Sequence, residues 1–257
     1  MKELERPKQS SCARIISAVK LTRAIFLDRD GTLIEDRGYL SRPEEVVFYS
    51  ETVPALRRLQ RTFFLIIVTN QPGVANGAIS STDVDRVNAH IANHLAKLGV
   101  QICAIYVCPH KRDDGCACIK PKPYFLHRAS GEFSVGLADS FVVGDHPHDV
   151  EFARSVGAQG IYVSTGHGLK HLDELPKEEV VVSDIAAAAE WILSQNVYAE
   201  RRHNRLVNCG DQDGGFDLIS DSPWPRRDSV KNKGPHPEGA FRLFSAPQRK
   251  KRSRDGS

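Results

Sequence analysis

Asp28 and Asp30 stand two residues apart in the stretch AIFLDRDGTL, directly behind the apolar run Ala24, Ile25, Phe26 and Leu27. Two carboxylates so close repel each other unless a cation sits between them, so the pair predicts a divalent metal. Gly31 permits a tight backbone path, and Thr32 adds a hydroxyl before Leu33 and Ile34 resume the apolar pattern. A second set of ligand-type side chains lies in Cys108-Pro-His110 and, five residues on, Cys116-Ala-Cys118. Three thiolates and one imidazole, paired as C-x-H and C-x-C across a short loop, suit a closed tetrahedral zinc site. With protein at all four positions there is no place for a reacting water, so that zinc would be structural.

These groups need elements to hold them. The run 24–27 reads as a buried strand ending at Asp28. Val53–Leu59 has helical spacing with Thr52 as N-cap, followed by a strand over Phe63–Val68 that is apolar on both faces, as in a parallel sheet covered on both sides. Ser81 opens a long helix with Asp83 and Asp85 in its first turn, a buried stripe of Val84, Val87, Ile91, Leu95 and Leu98, and Gly99 at its end. His90 and His94 on that helix have no acidic companion and read as surface or packing residues. Further strands are expected over Ile102–Val107, Ser140–Val143, Gly160–Ser164 and Val180–Val182. Helices are expected over Pro123–Val135, through Ala153–Val156, and over Asp184–Leu193. Alternating strands and helices from Ala24 to Leu193 predict a three-layer, Rossmann-like α/β domain with a parallel sheet. Its chemistry belongs at the strand C-terminal ends.

DRDGTL behind an apolar strand resembles the first motif of the haloacid dehalogenase superfamily of phosphotransferases, and the chain carries matches to the other three. Thr69-Asn70-Gln71 resembles the second, Lys120 within C-x-C-x-K-P the third, and Gly144-Asp145 with Asp149 the fourth. The resemblance implies Asp28 as nucleophile, Asp30 as general acid and base, and Thr69 and Lys120 on the phosphoryl oxygens. It implies Mg2+ on Asp28, Asp145 and the backbone carbonyl of Asp30, with Asp149 in support, and Zn2+ on Cys108, His110, Cys116 and Cys118, pinning the loop that carries Lys120. His146 and His148 are read as polar lining, because magnesium prefers oxygen. Asp36, Arg37, Gly38 and Tyr39 match the segment that lies over the site in this family and, with Asn70, Gln71 and position 119, are expected to meet substrate. No insertion is long enough for a large cap domain.

The full set of motifs looks most like the D-glycero-D-manno-heptose 1,7-bisphosphate phosphatases, with histidinol-phosphate phosphatases or another small sugar-phosphate phosphatase as the alternative. A zinc-stapled binding module without activity is the reading from a different class, against which the intact Asp28, Asp30, Lys120 and Asp145 argue. Two departures from the heptose branch are Ile119 where an arginine usually stands and His146 where a lysine does.

The 257 residues, 40% of them hydrophobic, suffice for a sizeable core, concentrated between Ala24 and Leu193. Residues 1–20 read as a polar extension, 21–195 as the catalytic domain and 196–257 as a disordered basic tail ending QRKKRSRDGS. A formal charge of +3 gives no argument for a nucleic-acid partner, and the tail is the one hint of such contact. No signal-type or membrane-spanning run is present, and the Cys/His spacing points to metal ligation in a reducing compartment, so a cytoplasmic monomer acting on a small phosphorylated substrate is expected.

Overall fold

Strands that are apolar on both faces cannot border water, and the chain folds by placing them between two layers of helices. The computed structural model describes residues 22–195 and 240–241. In chain order the elements are β1 (Ala24–Leu27), α1 (Thr52–Leu59), β2 (Phe64–Asn70), α2 (Ser81–Lys97), β3 (Ala104–Cys108), α3 (Tyr124–Phe133), β4 (Phe141–Gly144), α4 (Pro147–Arg154), β5 (Gln159–Val163) and β6 (Val180–Val182), then α5 over 185–195 and β7 (Ala240–Phe241). The sheet runs β6-β5-β4-β1-β2-β3-β7. Its first six strands are parallel, and β7 pairs antiparallel with β3.

Side-chain alternation along β1 assigns the two faces. Ile25 and Leu27 join Leu65, Ile67 and Val143 in a core with Leu56 of α1, Ile91 and Leu95 of α2, and Ile192 of α5. Ala24 and Phe26 join Ile66, Val68 and Val142 on the opposite face, against Phe125 and Ala129 of α3 and Phe152 of α4. Burying side chains of this size stabilises by roughly 1.5–3 kcal/mol each, which fixes the three layers. β1 lies between β4 and β2. The chain therefore builds one half of the sheet outward from β1 and then returns to build the other, and this switch point leaves a crevice at the strand C-terminal ends.

Most elements start or end within two residues of the sequence-based expectation, and four differences have a tertiary reason. β2 continues to Asn70, because Thr69 and Asn70 still pair with Val107 and Cys108 of β3. β3 itself ends on Cys108, so the first Cys/His ligand is a strand residue rather than a loop one. Thr52 lies inside α1 instead of capping it, its buried hydroxyl donating to the Leu33 carbonyl at 2.7 Å. Within the tail expected to be disordered, Ala240–Phe241 form the edge strand on β3, and the remainder lies outside the described residues, as do residues 1–21. The excursion from Ile34 to Pro43 is irregular as expected, anchored by a bridge between Ile34 and Phe48. His94 stacks on Phe48 with ring centroids 4.8 Å apart, a packing role. Among the described residues no helix is long and apolar enough to cross a membrane.

Candidate active site

Where the apolar side chains of β1 stop, the backbone still follows the sheet: the Asp28 N–H donates to the Val143 carbonyl of β4 at 2.9 Å. That bond turns the Asp28 side chain out of the strand end beside Asp145, which follows β4. Lys120 reaches the same point from the loop before α3, its ammonium bonded to Asp28 Oδ1 and to Asp149 Oδ1, the latter at 2.7 Å. Asp149 is fixed in turn because its other oxygen accepts the His146 N–H at 3.2 Å, closing the N-terminal turn of α4. Asp145 Oδ2 accepts the His167 N–H at 2.7 Å. Gly31, at φ +78°, passes so close that any Cβ would overlap the Asp145 carboxylate.

Three carboxylates and one ammonium thus gather in a nearly dry place, with Asp28 and Asp149 bonded to the ammonium. Burial is the largest influence on Asp28 and raises it to about 7, with Lys120 pulling down and Asp149 pushing up. Asp145 is raised to about 8, again by burial first and then by the charge of Asp28. Burial alone would lower Lys120, but the Asp149 and Asp28 carboxylates more than offset it and hold the ammonium protonated. One oxygen from each of Asp28, Asp145 and Asp149 lies within 4.8 Å of the others. Hard oxygens gathered with an excess of negative charge fit a magnesium ion, whose charge would bring both raised carboxyls back to the ionised form.

Beside this group, Asp30 is gripped from behind. Gln71 donates to Asp30 Oδ2 at 2.8 Å and to Thr69 Oγ1 at 2.8 Å. The Thr69 hydroxyl lies 3.5 Å from the same Asp30 oxygen. Arg29, fully buried, forks onto both Asp30 oxygens, Nε to Oδ2 at 3.0 Å and a terminal nitrogen to Oδ1 at 3.1 Å. Its third nitrogen donates to Asn88 of α2 at 2.8 Å. Asn70 accepts the backbone N–H of Lys120 at 3.2 Å, tying β2 to the lysine loop. Sequence reasoning passed over Arg29 and Asn88. The signal for Arg29 was its place between two acids; for Asn88 it was a polar side chain within the stripe that α2 buries.

The four Cys/His ligands converge as the spacing requires. Cys108 Sγ lies 3.7 Å from Cys116 Sγ and 3.4 Å from Cys118 Sγ, while His110 Nδ1 lies 3.3 Å from Cys118 Sγ and 3.8 Å from Cys108 Sγ. Zinc–sulfur bonds of about 2.3 Å in a tetrahedron place sulfurs about 3.8 Å apart, so the set fits zinc with little adjustment. The Cys118 thiol is lowered to about 5, by hydrogen bonding with Cys108 first, and so already favours the thiolate that a metal needs. Cys108 is pushed the other way by the same contact.

Of the remaining expected residues, Asp36 is linked to the carboxylate group through His167, and the others have contacts of their own. Tyr39 is exposed, backed by Gly73, and accepts from Asn76 at 3.1 Å; Asp36 accepts the Gly38 N–H at 2.7 Å and faces His167 at 3.4 Å. Arg37 is paired with Glu35 at 2.7 Å, and Lys122 donates to the Cys116 carbonyl. Ile119 is 8% exposed and packs with Cys118, Phe125 and Leu126 on the α3 face of the sheet. His146 and His148 stack face to face at 4.3 Å, an arrangement in which their in-plane lone pairs do not converge on one ion. Burial first, and then the neighbouring His148, lowers His146 to about 4. Arg112, from the loop between His110 and Cys116, donates to His148 Nε2 at 2.9 Å.

A family model described as haloacid dehalogenase-hydrolase-like matches residues 117–188. The chain is 34% identical over 177 residues to the D-glycero-beta-D-manno-heptose-1,7-bisphosphate 7-phosphatase of Bordetella bronchiseptica, covering 67% of this chain and 99% of that one. It is 33% identical over 172 residues to the enzyme of the same name from Pseudomonas aeruginosa, covering 66% of this chain and 97% of the relative. Among solved structures it is similar to the B. bronchiseptica D,D-heptose 1,7-bisphosphate phosphatase complexed with magnesium and phosphate, with a TM-score of 0.63 at 33% identity over 68% of this chain and 99% of that one. A putative phosphatase of the same superfamily from Mesorhizobium loti superimposes with a TM-score of 0.57 at 26% identity, over 67% of this chain and 88% of that one.

Proposed function

Given that the chain belongs to the haloacid dehalogenase-like phosphatases, we propose that it removes the 7-phosphate of a heptose 1,7-bisphosphate through an aspartyl-phosphate on Asp28. The observation that carries the mechanism is the placing of Lys120 between Asp28 and Asp149, with Asp30 clamped alongside. The substrate is taken from the relatives, which act on that sugar phosphate by name and match along almost their whole length. Asp28, Asp145 and the Asp30 carbonyl would hold Mg2+, which when bound screens the approach of one anion to another and lowers the buried carboxyls.

The steps belong to the chain's own groups. Asp28 attacks phosphorus in line as the bond to the sugar oxygen breaks, and Asp30 gives its proton to that oxygen. Lys120 and the Thr69 hydroxyl bind the equatorial oxygens, where charge stays high throughout transfer. Asp30 then takes a proton from the water that attacks the phosphoaspartate, releasing inorganic phosphate and restoring Asp28. Asn70 keeps Lys120 in register, and the Cys/His set, with zinc bound, fixes the loop on which Lys120 stands. Asp36, Gly38 and Tyr39 line the approach for the sugar.

For the second phosphate, the cations first expected to meet it are, among the described residues, taken up elsewhere. Ile119 is buried, Arg37 and Lys122 are engaged elsewhere, and His146 is held neutral. Arg112 bonds to an imidazole rather than a carboxylate, and we assign the distal phosphate to it. The same shortage of cations is what supports histidinol phosphate as a second reading. Thiolate ligands survive in a reducing compartment, which supports a cytoplasmic location.

The test is Mg2+-dependent phosphate release from heptose 1,7-bisphosphate, heptose monophosphate and histidinol phosphate by wild type, Asp28→Asn and Arg112→Ala. Asp28→Asn is expected to be silent on all three substrates, and retention of more than about a hundredth of kcat in that variant removes Asp28 from the nucleophile role. A bisphosphate preference that Arg112→Ala leaves intact removes Arg112 from the distal site.

A further inference from the structure

Among the described residues, the mechanism leaves the buried charge of Arg29 without a task. The Arg29 side chain is fully buried and has no place in the steps above; its guanidinium bonds only to other side chains, Asp30 through the fork and Asn88 through the third nitrogen. Asn88 is itself 1% exposed, and its amide nitrogen has no partner. Burying an ion pair contributes little net stability, because desolvation consumes the Coulombic gain. A guanidinium held on α2 and spread across one carboxylate is, however, a good way to hold that carboxylate still, since its donors form a planar fork that matches two oxygens.

We propose that Arg29, anchored by Asn88, is the positioning residue for the general acid and base, and that it selects which oxygen of Asp30 moves the proton. The inference rests on the aspartyl-phosphate reading above. Asp30 Oδ2 receives Arg29 Nε at 3.0 Å and Gln71 at 2.8 Å, with the Thr69 hydroxyl at 3.5 Å. Oδ1 receives a single donor, the terminal nitrogen of Arg29 at 3.1 Å, and shares it with Oδ2, which lies 2.9 Å from the same nitrogen. Oδ2 is therefore saturated and fixed, while Oδ1 keeps a lone pair for the proton that passes to the leaving oxygen as its bond to phosphorus breaks. Without Asn88 the guanidinium can rotate about its stem and carry the carboxylate with it. In this way α2, which supplies no group to the reacting centre, sets the direction of proton transfer.

Such a role shows in leaving-group dependence, because an aryl oxide leaves without help whereas an alkoxide needs the proton. The experiment uses the full chain with Mg2+ and compares 4-nitrophenyl phosphate with an alkyl phosphate for wild type, Asn88→Leu, which keeps volume but removes the acceptor, and Arg29→Lys, which keeps charge but removes the fork. General acid catalysis contributes roughly 100- to 10,000-fold, so kcat for the alkyl ester should fall at least about tenfold further than kcat for the aryl ester in each variant, with the aryl rate changed by less than about threefold. Equal losses on both esters, or no loss on either, in a folded Asn88→Leu overturn the positioning role. Because Asn88→Leu and Arg29→Lys perturb packing differently, a shared leaving-group signature is one that loosened packing does not produce. Silence of Asp28→Asn on both esters, alongside equal losses in the Asn88 variant, retires this inference and spares the aspartyl-phosphate; turnover by Asp28→Asn retires both.

Discussion

Replacing Asp149 by asparagine isolates what holds Lys120. The change is nearly isosteric, yet Asp149 serves two donors with two oxygens: Lys120 Nζ at 2.7 Å through Oδ1 and the His146 N–H at 3.2 Å through Oδ2. An amide has one acceptor oxygen, so one of those donors would face an NH2 group instead. If the oxygen stays with the lysine, the α4 cap is lost, a cost of about 1 kcal/mol. The charge-assisted bond also weakens to a neutral one, a loss of about 1 kcal/mol, and Lys120 is left buried with Asp28 as its sole carboxylate. The sum is a destabilisation of about 2–4 kcal/mol, or roughly 5–15 °C in Tm for a domain of this size. Trp191, which meets Phe141 edge to face at 6.3 Å, is a convenient fluorescence reporter for urea unfolding. In the active site, Lys120 gains freedom where an ångström of misplacement can cost on the order of a hundredfold, so kcat/KM is expected to fall about ten- to a hundredfold. Asp28 also loses a neighbour that pushes its pKa up, so its titration in the magnesium-free protein moves to lower pH. A variant within about 0.5 kcal/mol of wild type, with unchanged kcat/KM, would refute the account of Lys120 as a residue held from α4.

Gly31→Ala should abolish phosphatase activity, because the methyl overlaps the Asp145 carboxylate, whereas Gly77→Ala, at a similar positive φ but with open space around it, should cost only the roughly 1–2 kcal/mol of the backbone conformation and keep its activity. In magnesium-free protein, burial holds Asp28 and Asp145 near 7 and 8, above their ordinary 3.8, so their contribution to stability is complete below about pH 4 and is lost as pH rises through 7 to 8. Tm is therefore expected to decline from pH 5 to pH 8 without Mg2+ and to recover most at pH 8 when Mg2+ is added; a Tm that rises over that range without the ion contradicts the assignment. Elemental analysis of protein purified without chelator should find one zinc per chain, and Cys116→Ser should lower zinc content and kcat together while leaving the Mg2+ concentration for half-maximal activity unchanged. An active Cys116→Ser lacking zinc would separate the Cys/His loop from Lys120.

The parts of this protein that were legible in the sequence are those whose geometry is local. Asp28 and Asp30 share one loop, so their spacing alone places two carboxylates at a strand end; Cys108, His110, Cys116 and Cys118 close a single short hairpin, and their spacing alone brings four ligands together. The α/β alternation was equally plain, since strands covered on both faces carry unbroken apolar runs and α2 carries a helical stripe. The substrate proposed for this chain rests on likeness to whole relatives rather than on any single residue. Tertiary structure alone decided which partner each polar group takes. Lys120 and Asp149 are 29 residues apart, and only the register of β1 against β4 brings α4 under the lysine. Arg29 looked like a spacer between two acids until the turn after β1 directed it inward to meet Asn88, 59 residues on. Ile119 follows Cys118 and could have faced the mouth, but the packing of α3 turns it into the apolar layer. Thr52 reads as a cap until the Leu33 carbonyl claims its hydroxyl. For Lys120, Arg29 and Thr52 the sequence supplies the side chain, and a contact across many residues supplies its direction, because a buried polar group must find its partner wherever the fold has put one.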